Sequence, residues 1–240
     1  MSSKIQSNLN SKLRFDNQPK LWLRIKLNEV QMLKERGYDI DDEEKFKAMT
    51  PEEFEQYAEK NKLDYIYNNP LTNRKLLVHY IRTPGTRDVG HDAILYFISQ
   101  LVKDSSIDSG IIISKNISSA GYSRIKTFPA YHIQHFTPEE LVYDVSQHFF
   151  VPKQTIVTKE EMFKSGPKYK IALNQLLPVI LKNLHASDEK KTNAAVIVGD
   201  PIIKRLGAKH GDIIKVERVN FFSSVMVENS IAFRIVKEIK

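Results

Sequence analysis

The sequence predicts an α/β (α+β) chain of two domains, on three observations. The 240 residues fit one large domain or two modest ones, and the 41% apolar content is enough for packed cores. Segments of helical period alternate with short apolar strands over the first 145 residues, the pattern of a helix-covered sheet. The composition then shifts across Asp144–Pro152. Residues 1–145 hold 20 Lys+Arg and 20 Asp+Glu, so residues 146–240 carry the whole net charge of +7. The expected organisation is a flexible tail over 1–18, an α/β domain over 19–145 and a small mixed α+β domain over 146–240.

Each element has a local reason. After Pro19, Leu23, Leu27, Val30 and Leu33 recur at three- and four-residue steps, widened by Trp22 and Met32. This predicts a helix over 20–36 that Gly37 ends, with Lys26 and Glu29 falling off its buried stripe. Asp41, Asp42, Glu43 and Glu44 read as a solvated loop, because a calcium loop needs alternating oxygen ligands and a tight glycine. In "MTPEEFEQYAEKN", Thr50 can cap, Pro51 fits the first helical position and Glu53 completes a capping box. "DYIYNN" and "RKLLVHYI" read as strands joined by a Pro/Asn turn. Then come the helix "VGHDAILYFISQLV", the buried strand "SIDSGIIISK", the helix "ISSAGYSRIKTF", the strand "AYHIQHF" and a second capped start, "TPEEL". In the second domain "TKEEM" starts a helix and "LHASDEKKTN" reads as an exposed loop. Ile213–Val219 and Ser230–Val236 read as paired strands.

Several functions are excluded or disfavoured. The chain has no cysteine, which removes disulfides, thiolate catalysis and cysteine-based zinc sites and fits a reducing compartment. No apolar run reaches the ~18 residues of a membrane span, and the start lacks the apolar core of a secretory signal. His132 and His135 fall on opposite faces of a strand, which suits a metal badly, so the histidines read as surface or strand-edge groups. Asp88, His91 and Asp92 read as cap and surface. No serine lies in a Gly-x-Ser-x-Gly elbow, and "GTRDVG" has the wrong glycine spacing for a dinucleotide site. No catalytic residue, metal or cofactor is expected.

The stretch "GDPIIKRLGAKHGDIIKVER" fails the phosphate-loop test: Gly199 and Gly207 are eight apart, and Asp212 follows Gly211. A mechanical reading fits better. Asp200 caps a short helix begun by Pro201, Gly207 ends it left-handed, and Gly211 turns the chain into a strand. The charge of this half suits nucleic acid or an acidic protein. Lys204, Arg205 and Lys209 are left facing a partner or water.

"HFFVPKQ", "YKIALNQLLPVI", the Gly199–Arg218 stretch and "AFRIV", in that order, resemble one family: the common fifth subunit of eukaryotic-type multisubunit RNA polymerases, whose archaeal counterpart is the H subunit. The matching positions are His148, Val151, Pro152, Tyr169, Gln175, Pro178, Asp200, Pro201, Gly207, Gly211, Arg218 and Arg234. "LNEVQMLKERGY" resembles the family's first helix. The chain departs at Gln154, where a second histidine is usual. It also departs at Leu177, in an insertion over 181–196, in the lengthened Arg218–Arg234 connection, and at Phe233 in place of tyrosine. A cellular and a large-virus source both stay open.

The resemblance implies a non-catalytic subunit. Its C-terminal assembly domain docks on the largest subunit, and its N-terminal jaw domain, of nuclease-like α/β fold, lies near downstream duplex DNA. The metal-binding aspartates of nucleotidyl transfer belong to the largest subunit. "LLVHYI" lacks the acidic-x-Lys element of a nuclease strand, so nuclease activity is not expected. Because the jaw nets to zero charge, DNA contact would be weak and local, through Arg82, Arg87, Lys115, Arg124 or Lys126. No membrane contact and no obligate homo-oligomer are implied. The location would be the nucleus for a cellular protein, and the virion or host-cell cytoplasm for a viral one. The alternative is a stand-alone basic nucleic-acid-binding protein.

Overall fold

The computed structural model describes residues 18–60, 63–81, 88–169, 179–181, 200–218 and 230–237. Arg82, Arg87, Gln175, Leu177, Pro178, positions 182–196 of the insertion and positions 219–229 of the late connection lie outside the described residues, as does the side chain of Tyr169. The chain divides into two compact units, Met1–Tyr143 and Asp144–Lys240.

The first unit opens with α1 (Pro19–Glu35), which Gly37 closes at φ +83°. Leu23, Val30, Met32 and Leu33 are buried along it, as is Ile25. A 3-10 segment (Asp41–Lys47) comes next where a loop is expected. Then comes α2 (Pro51–Lys60), begun by the expected capping box: the Thr50 amide donates to Glu53 Oε2 at 2.8 Å, and the Glu53 amide donates to Thr50 Oγ1 at 3.3 Å. Strands β1 (Tyr65–Asn69) and β2 (Arg74–Tyr80) form an antiparallel hairpin. Its turn is held by Asn69 Oδ1, which accepts from the amides of Leu71 and Thr72, and by Asn73 at φ +52°.

Helix α3 (His91–Lys103) leads to β3 (Ile107–Ile113), and α4 (Ser119–Lys126) leads to β4 (His132–Phe136). The sheet order is β1-β2-β3-β4, with β2, β3 and β4 parallel. The short α5 (Pro138–Val142) starts from a second capping box, between Thr137 and Glu140. Strand alternation splits the core into two layers. Val78, Tyr80, Ile111 and Ile113 pack with α1, the 3-10 segment and α2. Leu77 and Ile112 pack with Phe97, Ile98 and Leu101 of α3. Gly110 lets α3 approach the sheet closely, since a Cβ there would stand 2.5 Å from Phe97 Cζ.

The second unit starts with a 3-10 turn (Val145–Gln147) and β5 (Lys153–Val157). The sequence reading did not anticipate β5, because "KQTIV" has no apolar alternation. Helix α6 (Lys159–Tyr169) begins from a third box, Thr158 with Glu161. Strand β6 (Val179–Leu181), helix α7 (Pro201–Leu206) and strands β7 (Ile213–Arg218) and β8 (Ser230–Lys237) complete the described elements. The sheet order is β5-β7-β8-β6, with β7 and β8 paired as expected and running antiparallel. One face buries Ile214, Val216 and Val236 with Ile203 of α7. The other buries Ile213 and Phe233 with Met162 of α6. The whole is a mixed α+β fold with two sheets.

Candidate functional site

The second unit is built around α7 and its turns. Asp200 Oδ1 accepts from the amides of Ile202 at 2.8 Å and Ile203 at 3.4 Å, and Pro201 occupies the first turn. These contacts satisfy helix-end donors that water would otherwise have to reach. Gly207, at φ +68°, ends the helix as expected. Gly211, at φ +93°, donates its amide to Val236 O at 2.9 Å and so ties the turn to β8. The Lys209 amide donates to Asp212 Oδ2 at 2.7 Å, so Asp212 braces the connector.

One expectation is corrected here. Lys204 and Arg205 do not both wait on the surface: they are 6% and 8% exposed. Arg205 Nη2 lies 3.0 Å from Asp144 Oδ2, and Asp144 Oδ1 accepts from the Ser146 amide. Four consecutive helical residues point around a full turn, so the burial of Ile202 to Arg205 means that α7 is covered on more than the face that meets the sheet. Lys209 and Arg218 are exposed, and Arg234 is half-buried on β8, opposite Ile214.

Just before β5 stands an exposed aromatic cluster. His148, Phe149 and Phe150 all face solvent, the last two at 63% and 70% exposure. The two phenyl rings meet edge to face at 5.2 Å, and His148 lies 5.9 Å from Phe150. Val151 and Pro152 are half-buried beneath. Gln154 sits opposite Val216, with its Oε1 buried and without a hydrogen-bond donor. The exposure of both phenylalanines went unread in the sequence. A Phe-Phe pair against Val-Pro was the available signal, since tight turns rarely bury two consecutive large rings.

In the first unit, Lys126 is exposed, while Lys115 and Arg124 are half-buried. The Arg124 guanidinium lies over the Phe128 ring at 5.1 Å, which leaves it partly committed to packing. These cations therefore do not form a dense basic face. Two of the histidines, His79 and His135, are built into the scaffold. His79 Nδ1 stands 2.7 Å from Asp64 Oδ2, and its ring stacks on Phe97 at 5.8 Å. His135 lies between Tyr122 OH at 2.8 Å and Ser114 Oγ at 3.0 Å, with Ser114 only 1% exposed. His135 has a hydroxyl at each ring nitrogen, but the burial of Ser114 keeps a substrate from it. His91 and Asp92 are exposed on α3.

A second correction concerns Lys26, Glu29 and the acidic run. Lys26 and Glu29 are 1% and 0% exposed, and Glu43 of the 3-10 segment is 2% exposed. Lys26 Nζ reaches Glu43 Oε2 at 2.6 Å, Glu29 Oε2 at 2.9 Å and Tyr67 OH at 3.0 Å, which uses all three ammonium donors. Tyr67 OH donates to Glu43 Oε2 at 3.1 Å, and Tyr80 OH donates to Glu29 Oε2 at 2.8 Å. The rings of Phe46, Tyr67 and Tyr80 surround the ammonium at 5.4 to 5.6 Å. Burial alone would push the Lys26 pKa down, but the two carboxylates outweigh it and the value is raised. Burial and the same carboxylates push the Tyr67 phenol up. The cluster stitches α1, the 3-10 segment, β1 and β2 together. Tyr65 OH donates to Asp42 at the rim, which raises its pKa to about 12.

Among the described residues, no three His, Cys, Asp or Glu side chains converge to hold a metal, and no helix is long and apolar enough to cross a membrane. No protein-family model matches the chain. Three relatives do. The chain is 35% identical over 92 residues to DNA-directed RNA polymerase subunit Rpo5 of Methanocaldococcus jannaschii, spanning 38% of this chain and 91% of the relative. It is 22% identical over 216 residues to DNA-directed RNA polymerase V subunit 5A of Arabidopsis thaliana, spanning 87% of this chain and 85% of the relative. It is 25% identical over 210 residues to the Caenorhabditis elegans subunit RPABC1 of DNA-directed RNA polymerases I, II and III, spanning 83% and 89%. With nearly the whole of an archaeal relative matched at that identity, and eukaryotic relatives matched over most of both chains, the protein belongs to the fifth-subunit (Rpo5) family of archaeal and eukaryotic DNA-directed RNA polymerases.

Proposed function

We propose that the chain is a non-catalytic subunit of a multisubunit DNA-dependent RNA polymerase. In this reading its second unit docks on the largest subunit, and its first unit serves as a nuclease-like jaw beside downstream DNA. The observation that carries it is the archaeal match, a 92-residue stretch that makes up nine-tenths of a polymerase subunit. The residues shared with the family pattern, from His148 to Arg234, fall in the second unit, which spans Asp144–Lys240. Assembly is therefore assigned to this unit, whose charge excess suits an acidic partner surface. DNA contact by the charge-balanced first unit would be weak and indifferent to sequence, led by exposed Lys126. The protein would be found where its polymerase works: the nucleus for a cellular source, the virion or host-cell cytoplasm for a viral one.

Affinity purification of the full chain, with mass spectrometry of the co-purifying proteins, tests the reading. Recovery of the two largest polymerase subunits in constant ratio is expected. Duplex-DNA affinity of the isolated chain that falls steeply with salt, with no polymerase recovered, would instead favour a stand-alone nucleic-acid-binding protein.

A further inference from the structure

We propose that residues 1–17 fold back onto the first unit and lay Ile5, Leu9 and Leu13 on the face of β1 that α3 and α4 leave bare. The inference stands apart from the polymerase reading and holds or fails on its own. Ile66 of β1 pairs with Leu77 of β2. Strand alternation therefore puts Ile66 and Asn68 on the same side of the sheet as Lys75, Leu77 and His79. On this side α3 and α4 cover the other three strands. Leu77, Ile107 and Ile112 are buried with Phe97 and Leu101, and Ile133 of β4 packs against the same cluster with Tyr122 and Ile125. Strand β1 has no such cover among the described residues. Ile66 is 47% exposed, whereas Leu77 directly opposite is 7% exposed. Tyr96 borders the bare strip from the α3 side. It is 48% exposed, and its ring stands 5.9 Å from that of His79. Ile66 and Tyr96 thus flank a strip floored by Leu77 and His79. In an α/β unit such a sheet face is normally packed beneath a further element.

The chain itself supplies the occupant. Ile5, Leu9 and Leu13 recur at four-residue steps, so one face of a helix carries all three, with Ser7, Ser11 and Arg14 on the other side. The stretch also joins the unit at the right end. Gln18 O accepts from the amides of Leu21 and Trp22 at the start of α1. The Trp22 ring lies 6.5 Å from that of Tyr80, the last residue of β2. Because the hairpin is antiparallel, β1 begins at this same end, with Tyr65 opposite Val78. The chain from Leu9 to Gln18 can reach up to about 30 Å. That is enough to round the end of the sheet from the α1 face to the opposite one, with a helix layer ~10 Å across on each side. The strip offers little to a nucleic acid. Lys75 is matched by Asp104 at 3.0 Å, and His79 by Asp64 at 2.7 Å. With these charges paired, the strip suits an apolar segment and not a phosphate backbone.

The chain has no cysteine, so Ser7→Cys in the full chain carries a single nitroxide on the side of the segment away from the strip. Methyl NMR then reads its distance, with the reduced nitroxide as reference. The Ile66 and Leu77 signals should lose most of their intensity. The Ile133 signal should lose clearly less, because β4 lies at the opposite edge of the sheet. Adding Ile5→Ser, Leu9→Ser and Leu13→Ser keeps the tether at the same length and should restore the Ile66 and Leu77 signals. Ile66→Lys removes the apolar floor and should restore the Leu77 signal. Unfolding midpoints check that Ile66→Lys folds, and Tyr96→Lys carries the same expectation should it not. Full Ile66 intensity in the labelled chain overturns the proposal. So does broadening that survives the three serines, which would reflect the tether alone. A mixture of nitroxide-labelled chain with isotope-labelled, nitroxide-free chain separates the remaining case. Broadening of Ile66 in that mixture assigns the strip to a second copy and overturns folding back within one chain, whereas an unaffected spectrum supports it.

Discussion

Replacing Lys26 by Met removes the cation that Glu29 and Glu43 share while keeping most of the side-chain volume. Lys26 and both carboxylates are at most 2% exposed, so the variant leaves two buried acids without their ion pair. Breaking a buried pair by removing one partner costs about 3–5 kcal/mol, a large share of the ~5–15 kcal/mol that holds a domain folded. With a urea slope of about 2 kcal/mol/M, a loss of about 4 kcal/mol moves the midpoint down by roughly 2 M. Trp22, the sole tryptophan, lies 6.5 Å from Tyr80 and so reports on this cluster by fluorescence. Adding Glu29→Gln and Glu43→Gln to Lys26→Met should recover more than half the loss, because neutral amides still accept from Tyr67 and Tyr80 without a buried charge. The pH dependence comes from the raised Lys26 pKa. Its contribution is complete below the ordinary lysine value of 10.5 and is lost only as pH rises through the higher folded value. A midpoint within ~0.5 M of wild type for Lys26→Met, or a triple variant no better than the single one, would refute the argument.

Other expectations arise from single contacts. Arg205→Ala leaves Asp144 without its partner and should cost about 3 kcal/mol in urea unfolding, and it would damage the second unit before any test of partner charge. Thr137→Ala removes the cap of α5 and should cost ~1 kcal/mol, with Thr137→Ser close to wild type. Gly110→Ala drives a methyl group against Phe97 and should cost ~1–3 kcal/mol. Asp104 is held down at about 2 by hydrogen bonds from Ser106 and by Lys75. A carboxyl NMR titration should therefore show its favourable contribution persisting above pH 3.8 and vanishing as pH falls through about 2, while Ser106→Ala moves the value upward.

Much of the fold was legible because it rests on local rules. Thr50-Pro51, Thr137-Pro138 and Asp200-Pro201 announce helix starts through hydrogen bonds that span two or three residues, and all three form. Gly207 marks a left-handed position that other side chains avoid. The parallel strand β3 shows itself through the consecutive Ile111, Ile112 and Ile113, which are buried on both of its faces. Strand β5 was missed because an edge strand with "KQTIV" needs only its partner β7 to form.

By itself the sequence determined most helices and strands, the absence of cysteine chemistry and the family resemblance, since each is written in adjacent or ordered residues. The tertiary structure decided where the charges went. Lys26 and Glu29 look solvent-bound on a helical wheel, and Glu43 looks like one acid of a loop. They are buried because Glu43 and Tyr67, 17 and 41 residues from Lys26, supply the counter-charge and the hydrogen bond that repay its desolvation. Likewise Arg205 belongs to Asp144, 61 residues away, and not to the surface, while Phe149 and Phe150 stay outside. Burial of a polar group depends on partners that meet only in three dimensions, so no reading of local pattern can assign it.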